Sequence, residues 1–291
     1  MGHPVALSIA GSDPSGGAGI QADLKTFSAL GVYGASAITL LTAQNTRGVQ
    51  AVEVLSPGIV EAQIASVLED LDVGAIKIGA LGNAAVIEAV AEALGRYAGP
   101  VVLDPVMVAK SGDPLLGSEA VEALRTRLLP LATVVTPNLP EAAALAGTAP
   151  AESAETAEAQ AAAILSAGAR AVLLKDGHAE GAETVDVLHQ AGAEAHRFSH
   201  PRIATRNTHG TGCTLSSAIA ARMALGDRLG AAVGRARRWL QRAIEGADAL
   251  GIGHGHGPLH HFHGIWEADA ARPLRQPLHA PHECGPGCDH D

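Results

Sequence analysis

Short apolar runs that recur between segments of helical spacing limit this chain more than any other feature of its sequence. Runs at 5–10, 37–41, 75–78, 101–103, 134–135 and 171–174 carry few polar residues, as strands covered on both faces do. Between them apolar side chains fall at helical spacing: Ile20, Leu24, Phe27 and Leu30, then Ile59, Ile64, Val67 and Leu71, then Val86, Val90 and Leu94. The expected fold is α/β, a mostly parallel central sheet with helices on both faces. A more polar stretch at 183–206 has room for two short strands, and a last pair of helices is expected at 212–225 and 229–249. The stretch 148–160, rich in Ala, Glu and Thr, reads as a solvated face leading into a helix that runs to Ala167, and it is given no function.

With 291 residues, 47% of them hydrophobic, the chain can bury a large core as one domain, and it holds no internal repeats. Aromatics are only 2%, so Ala, Val, Ile and Leu must fill that core, which disfavours an all-β sandwich. A net charge of −10 leaves no basic stripe for nucleic acid, and two Trp, two Tyr and three Phe make no base-stacking platform. No apolar run nears the roughly 20 residues of a membrane helix, and residues 1–8 lack a basic signal-peptide region. Cys213 stands alone and Cys284 and Cys288 lie in the last eight residues, so a disulfide framework is not expected and the cytoplasm is. Eight of the fourteen histidines fall in the last 41 residues with Gly and Pro, which points to a folded domain over 1–265 and a flexible tail over 266–291.

In an open parallel sheet, ligands bind beyond the carboxyl ends of the strands, and four segments there are unusual. Gly11-Ser-Asp-Pro-Ser-Gly-Gly-Ala-Gly19 can bring backbone amides to an anion ahead of a helix. Its partial dinucleotide pattern, Gly17 to Ala22, lacks the acidic residue at the end of the second strand, and no Walker loop is present. Asp23 falls on or beside the apolar face of the following helix, where it either sits at the stripe's edge or in the first turn, or meets a ligand. Thr42-Ala-Gln44-Asn45-Thr46 closes the second strand with an amide able to offer a heterocycle both a donor and an acceptor. Asp104-Pro-Val-Met107 and Thr136-Pro-Asn138-Leu-Pro-Glu141 follow later strands; Asn138 with Glu141 is either a capping box or half of a carboxylate pair near a metal-bound phosphate. The strongest signal is Asn207-Thr208-His-Gly210-Thr211-Gly212-Cys213, a glycine-spaced turn opening a long helix, whose amides form an anion hole for a transferring phosphoryl group. That helix terminus is expected to lower the thiol pKa of Cys213, unless Cys213 is a small packing residue.

Ala10-Gly-Ser-Asp-x-Ser-Gly-Gly-Ala-Gly19, Lys77-Ile-Gly79, Asp104-Pro-Val-Met107 and Thr208-His-Gly-Thr-Gly-Cys213-Thr together resemble the hydroxymethylpyrimidine/phosphomethylpyrimidine kinases of thiamine synthesis, in the ribokinase-like superfamily. The likeness covers about residues 4–262; its first and last motifs are specific in combination, and the middle ones are shared with pyridoxal kinases. It implies a ribokinase-like fold, ATP and Mg2+ as cofactors, a homodimer, and phosphorylation of 4-amino-5-hydroxymethyl-2-methylpyrimidine and then of its monophosphate. By the same resemblance Gln44 holds the aminopyrimidine, with Gly11, Asp23, Val106 and Met107 around it. Gly210, Thr211, Gly212 and Cys213 match the catalytic anion hole, Cys213 standing where related sugar kinases carry an aspartate base. Asp104, Asn138, Glu141, Lys175 and Thr208 fall to the ATP and magnesium region. Two positions depart from the family pattern: Ala80 where many relatives have Met, and Asp176 where Gly is usual, beside Lys175 and able to pair with it.

The segment from Gly253 to Phe262 is similar to the family's terminal motif and is expected to be structural. His282, Cys284, Cys288 and His290 bring two thiols and two imidazoles within nine residues, the donors of a zinc or nickel chelate. Neither spacing nor a surrounding core fixes their geometry, so the expected reading is a flexible tail with no metal held by protein ligands alone. Two alternatives to the thiamine-pathway kinase are a pyridoxal or pyridoxine kinase and a non-catalytic pyrimidine-binding protein. A metal-handling protein defined by its tail ranks last.

Overall fold

The computed structural model describes residues 2–107, 116–175 and 181–269. The strands are β1 (Val5–Ser12), β2 (Tyr33–Asn45), β3 (Gly48–Val54), β4 (Val73–Ile78), β5 (Val101–Leu103), β6 (Val134–Val135), β7 (Ala171–Lys175), β8 (Glu183–Gln190) and β9 (His196–Pro201). The helices are α1 (Gly19–Ala29), α2 (Pro57–Asp70), α3 (Ala84–Ala93), α4 (Ser118–Ala123), α5 (Leu139–Ala146), α6 (Ala154–Ser166), α7 (Thr211–Ala224), α8 (Leu229–Glu245) and α9 (His263–Asp269). One sheet runs in the order β3-β2-β1-β4-β5-β6-β7-β8-β9. Its six central strands, β2 to β7, pair in parallel, while β3 and the β8–β9 hairpin add antiparallel wings.

Strand alternation sorts the core into two layers. Leu7, Ile9, Ile76, Ile78, Val101, Leu103, Val135, Val172 and Leu174 face one side, under α2, α3, α4, α5 and α6. Their neighbours Ala6, Ala75, Val102, Val134, Ala171 and Leu173 face the other, against α1, α7 and α8. Small residues dominate that second face, and α7 meets them with Ala218, Ala220 and Ala221, so its backbone can lie close to the sheet. This closeness brings the first turn of α7 to the carboxyl ends of β1, β4 and β5.

The expected helices at the end of the chain and the hairpin in 183–206 are present. The second strand is longer than 37–41, and β3, which no apolar run announced, pairs with its distal half through Leu40↔Val54 to Asn45↔Gly48. That hairpin projects beyond the helical cover, and most of β3 is exposed, so burial imposes no apolar pattern there. The expected boundary at 265/266 falls inside α9, and residues 270–291 lie outside the described residues.

Side-by-side Ala6 and Ala75 set the room available to α7. Replacing Ala75 with Leu should overpack that face and lower the unfolding free energy by about 1–3 kcal/mol. Ile76→Val, one residue along on the roomier face, should cost about 0.5–1.5 kcal/mol, both read from urea midpoints.

Candidate active site

The carboxyl ends of β1, β4, β5, β6 and β7 all deliver polar residues to one rim of the sheet. Beneath that rim lies a fully buried ion pair. Ser8 on β1 and Lys77 on β4 are register neighbours on the α1/α7 face. The ammonium of Lys77 donates to Asp23 Oδ2 at 2.7 Å, Ser8 Oγ donates to the same oxygen at 2.6 Å, and Ser217 Oγ of α7 donates to Oδ1 at 2.6 Å. Burial would strip Lys77 of its proton, but the surrounding acidic groups, Asp23 first and then Cys213 and Asp104, together outweigh it and hold the ammonium well above its usual range. Asp23 therefore lies past the first turn of α1, in the interior, with both oxygens taken by protein donors; the structure gives it neither a dipole role nor an open face toward a ligand.

Above this pair, two glycine turns lie against each other. In the first, Asp13 Oδ1 accepts from the N–H and Oγ of Ser15 at 2.9 and 2.7 Å, and Oδ2 accepts from Ala18 N–H at 2.9 Å. The second turn reaches it through His209, whose Nε2 stands 2.7 Å from Asp13 Oδ2, both side chains buried. Burial would raise Asp13, but hydrogen bonds from His209 and Ser15 hold it below the usual carboxylate range. Gly210 has φ +80°, and a Cβ there would overlap the carbonyl oxygen of Gly17. Only glycine permits that approach. Gln44, at the end of β2, is half-buried beside this junction, 3.4 Å from His209 Nε2.

Gly210 caps α7 without a side chain, so the first turn keeps free donors. Among the described residues, no acceptor meets the N–H of Gly212 or Cys213, while Thr211 N–H and Oγ1 both donate to Thr208 O. A Cβ on Gly212 would stand 3.4 Å from Lys175 Nζ and 3.5 Å from Asp104 Oδ2, so these amides border an Asp–Lys pair. Lys175 donates to Asp104 Oδ1 at 3.0 Å, Thr136 Oγ1 donates to the same oxygen at 3.1 Å, and Ser216 Oγ approaches Oδ2 at 3.3 Å. Burial works against the charge on Lys175, but Asp104 and Glu141 outweigh it and raise its pKa. Asp176, the other partner considered for Lys175, lies outside the described residues.

Asn138 and Glu141 form the capping box of α5, each side chain accepting from the other's N–H at 2.8 Å. Glu141 is also a member of the charged cluster. Burial, against the pull of Lys175 and with the push of Asp104, lifts its pKa to about 7.

Cys213 corrects an expectation. Its thiol takes the Gly19 N–H, but burial pushes its pKa up to about 11, Lys77 opposing and Asp23 and Asp104 adding. Desolvation outweighs the helix terminus, and at neutral pH the side chain is a thiol.

Met107 is buried in the core layer and gives its N–H to Glu141, Val106 is half-buried beside it, and Gly11 packs under Leu40 inside β1. Ala80 holds Thr39 Oγ1 through its carbonyl at 2.6 Å. Asp13, Lys77, His209, Ser8 and Ser217 were given no role from sequence; a lysine flanked by Ile76 and Ile78 was the legible signal, because a charge in a buried strand demands a partner. A cavity of about 680 Å³ opens beside the turn, lined by Ala204, Thr205, Arg206, Asn207, Asp248 and Ile252. His282, Cys284, Cys288 and His290 lie outside the described residues.

Two measurements check these electrostatics. With Cys284 and Cys288 changed to Ser, Cys213 should be alkylated at pH 8 about 100-fold more slowly than a free cysteine, accelerating toward pH 11. The fold favours neutral Glu141, whose ordinary value is 4.5, so its contribution is complete below pH 4.5 and lost as pH rises through about 7. Relative to Glu141→Gln, which keeps the cap, the protein should lose stability across that window and level off above it, as read by urea unfolding.

The family model for phosphomethylpyrimidine kinase matches residues 13–260. A hydroxymethylpyrimidine/phosphomethylpyrimidine kinase of Rhizobium meliloti (strain 1021) is 57% identical over 263 residues, covering 90% of this chain and 98% of that protein. The crystal structure of phosphomethylpyrimidine kinase from Clostridium difficile 630 superposes with a TM-score of 0.73 at 44% identity, over 82% of this chain and 99% of that one. An ADP complex of Bacillus subtilis pyridoxal kinase gives a TM-score of 0.82 at 37% identity, over 89% and 98%. The family match begins at Asp13 in the first glycine turn and ends at His260, past α8, so it takes in the rim just described except its β1 strand: the chain belongs to the phosphomethylpyrimidine kinase family.

Proposed function

We propose that this chain transfers the γ-phosphoryl group of ATP to the hydroxymethyl oxygen of 4-amino-5-hydroxymethyl-2-methylpyrimidine, and then phosphorylates the monophosphate to the diphosphate used for thiamine. The observation that carries this reading is the pair of N–H groups at Gly212 and Cys213, which meet no acceptor among the described residues and are set beside Lys175 and Asp104. The alcohol oxygen bonds to the γ-phosphorus, the β–γ bridge breaks with its electron pair leaving on ADP, and the hydroxyl proton is released. Such a transfer passes through a loose transition state, so alignment and neutralisation of spread charge supply most of the rate. The turn at 210–213 would grip the migrating charge and Lys175 would add a cation. Gln44 would hold the ring, with Gly11, Val106 and Met107 shaping the pocket. Asp23 would act from beneath, through Ser217 and Lys77, by holding α7 in place.

The cavity beside Asn207 and Thr208 has room for a nucleoside. Asp104 and Glu141 fit magnesium: buried Asp104 pairs with Lys175, and half-buried Glu141 lies in the field of the same lysine, so the cluster is short of positive charge. Magnesium commonly takes one or two carboxylates together with substrate phosphates, and when bound it neutralises charge on their oxygens. A neutral thiol makes Cys213 a contact rather than a base. The compartment would be the cytoplasm, where a free Cys213 stays reduced, and the working form a homodimer.

A pyridoxal kinase is the second reading, favoured by Ala80 in place of Met, which would leave the ring pocket wider or differently filled, and by the similarity to the Bacillus subtilis enzyme. A binding protein without turnover would not need the unpartnered amides of the turn. Competition between the aminopyrimidine alcohol and pyridoxal in one ATP-consumption assay decides: preference for pyridoxal overturns the first reading, and binding without ADP release overturns both. In the same assay Gly212→Val should lower kcat by about 100-fold or more, the worth of an anion-hole donor. Cys213→Ala should lower it about tenfold with KM for ATP nearly unchanged. Unaltered turnover in Cys213→Ala would remove the thiol from the site.

A further inference from the structure

The amide of Gln44 has two faces that differ only in which atom points where, and its neighbours decide between them. Asp13 accepts from Ser15 N–H, Ser15 Oγ and Ala18 N–H, so it is ionised and can only accept from His209. His209 Nε2, 2.7 Å from Asp13 Oδ2, therefore carries its hydrogen. The same Nε2 stands 3.4 Å from Gln44 Nε2 as the amide is drawn, with Oε1 toward Thr42, although N and O of an amide are told apart only by their partners. An NH2 group there would set two donors against each other, whereas a carbonyl oxygen would share the imidazole hydrogen. On the other side of the amide, Thr42 Oγ1 lies 3.2 Å away and already donates to Ser12 O at 2.9 Å, which leaves its lone pairs to accept. Both neighbours thus ask for one orientation, Oε1 toward His209 and Nε2 toward Thr42.

We propose that Asp13 and His209 are a positioning pair that fixes the Gln44 amide with its oxygen toward the imidazole, and so selects a ring whose edge carries an amino donor beside an acceptor nitrogen. In that orientation one lone pair of Oε1 and one N–H of Nε2 remain for a ligand. They match an aminopyrimidine edge in the way a glutamine amide matches adenine. The inference rests on the function proposed above. It adds residues that do not touch the reacting atoms. The pair also lies between the two glycine turns, since the His209 ring packs on Gly17, while the backbone N–H of His209 donates to Gly257 O at 3.1 Å. Ring selection and the anion turn are thereby set by one imidazole.

The test compares kcat/KM for 4-amino-5-hydroxymethyl-2-methylpyrimidine with that for its analogue bearing hydrogen in place of the 4-amino group, at saturating ATP. Wild type should prefer the amine by about 30-fold or more, because rejecting the analogue leaves a polar group unpaired. His209→Leu should cut that preference to below about fivefold with KM for ATP within about twofold, and His209→Gln, which restores an N–H toward Asp13, should recover most of it. An unchanged preference in His209→Leu, or equal losses in both variants for both substrates, overturns the proposal. If neither variant folds, the ring nitrogens of 15N-labelled wild type decide: a protonated Nε2 supports the pair, and a bare Nε2 overturns it. Absence of any turnover of the aminopyrimidine by wild type instead overturns the functional reading, and this inference with it.

Discussion

The Lys77–Asp23 ion pair is the fixed point of the site. Both side chains are fully buried, 2.7 Å apart, and the two serines that complete the carboxylate's shell come from β1 and α7. Four elements of the α1/α7 face are thus joined at one point directly under the anion turn. Taking two charges out of water is costly, and such a pair seldom adds net stability over apolar packing. Removing one partner is far worse, about 3–5 kcal/mol, because the other is left charged and dry. The pair therefore specifies where α7 begins relative to the sheet more than it strengthens the fold.

A second balance of charge lies at the surface of the same crevice. Asp104, Glu141 and Lys175 hold two acids against one base; burial raises the pKa of Glu141, Lys175 opposes it and Asp104 adds to it. The capping box does not compete with this role. It pins the Glu141 carboxylate by the Asn138 N–H, while Met107 supplies a further donor, so the group is held in place in either protonation state.

The parallel sheet and its helical cover were legible because burial writes itself into strands such as β1 and β4 as apolar runs. β3 left no such mark, since exposed backbone pairing needs no apolar side chains. The glycine turns were legible as spacing, and the partners of Gly210 and Gly17 were not, because close approach between distant segments leaves only glycines behind. The thiol of Cys213 ran against expectation for a similar reason: a helix terminus is visible in sequence, and desolvation is not. Asp23 pointed to an unusual environment, but its partners Ser8, Lys77 and Ser217 come from three separate elements and no local pattern connects them.

His209 and Asp13 are 196 positions apart, and the N–H of His209 is held by Gly257 further on still. The crevice is therefore closed by contacts between segments far apart in the sequence. During synthesis the emerging polypeptide can lay down all nine described strands and still possess no complete crevice, because the ring that shapes it and the segment that holds it both follow the last strand.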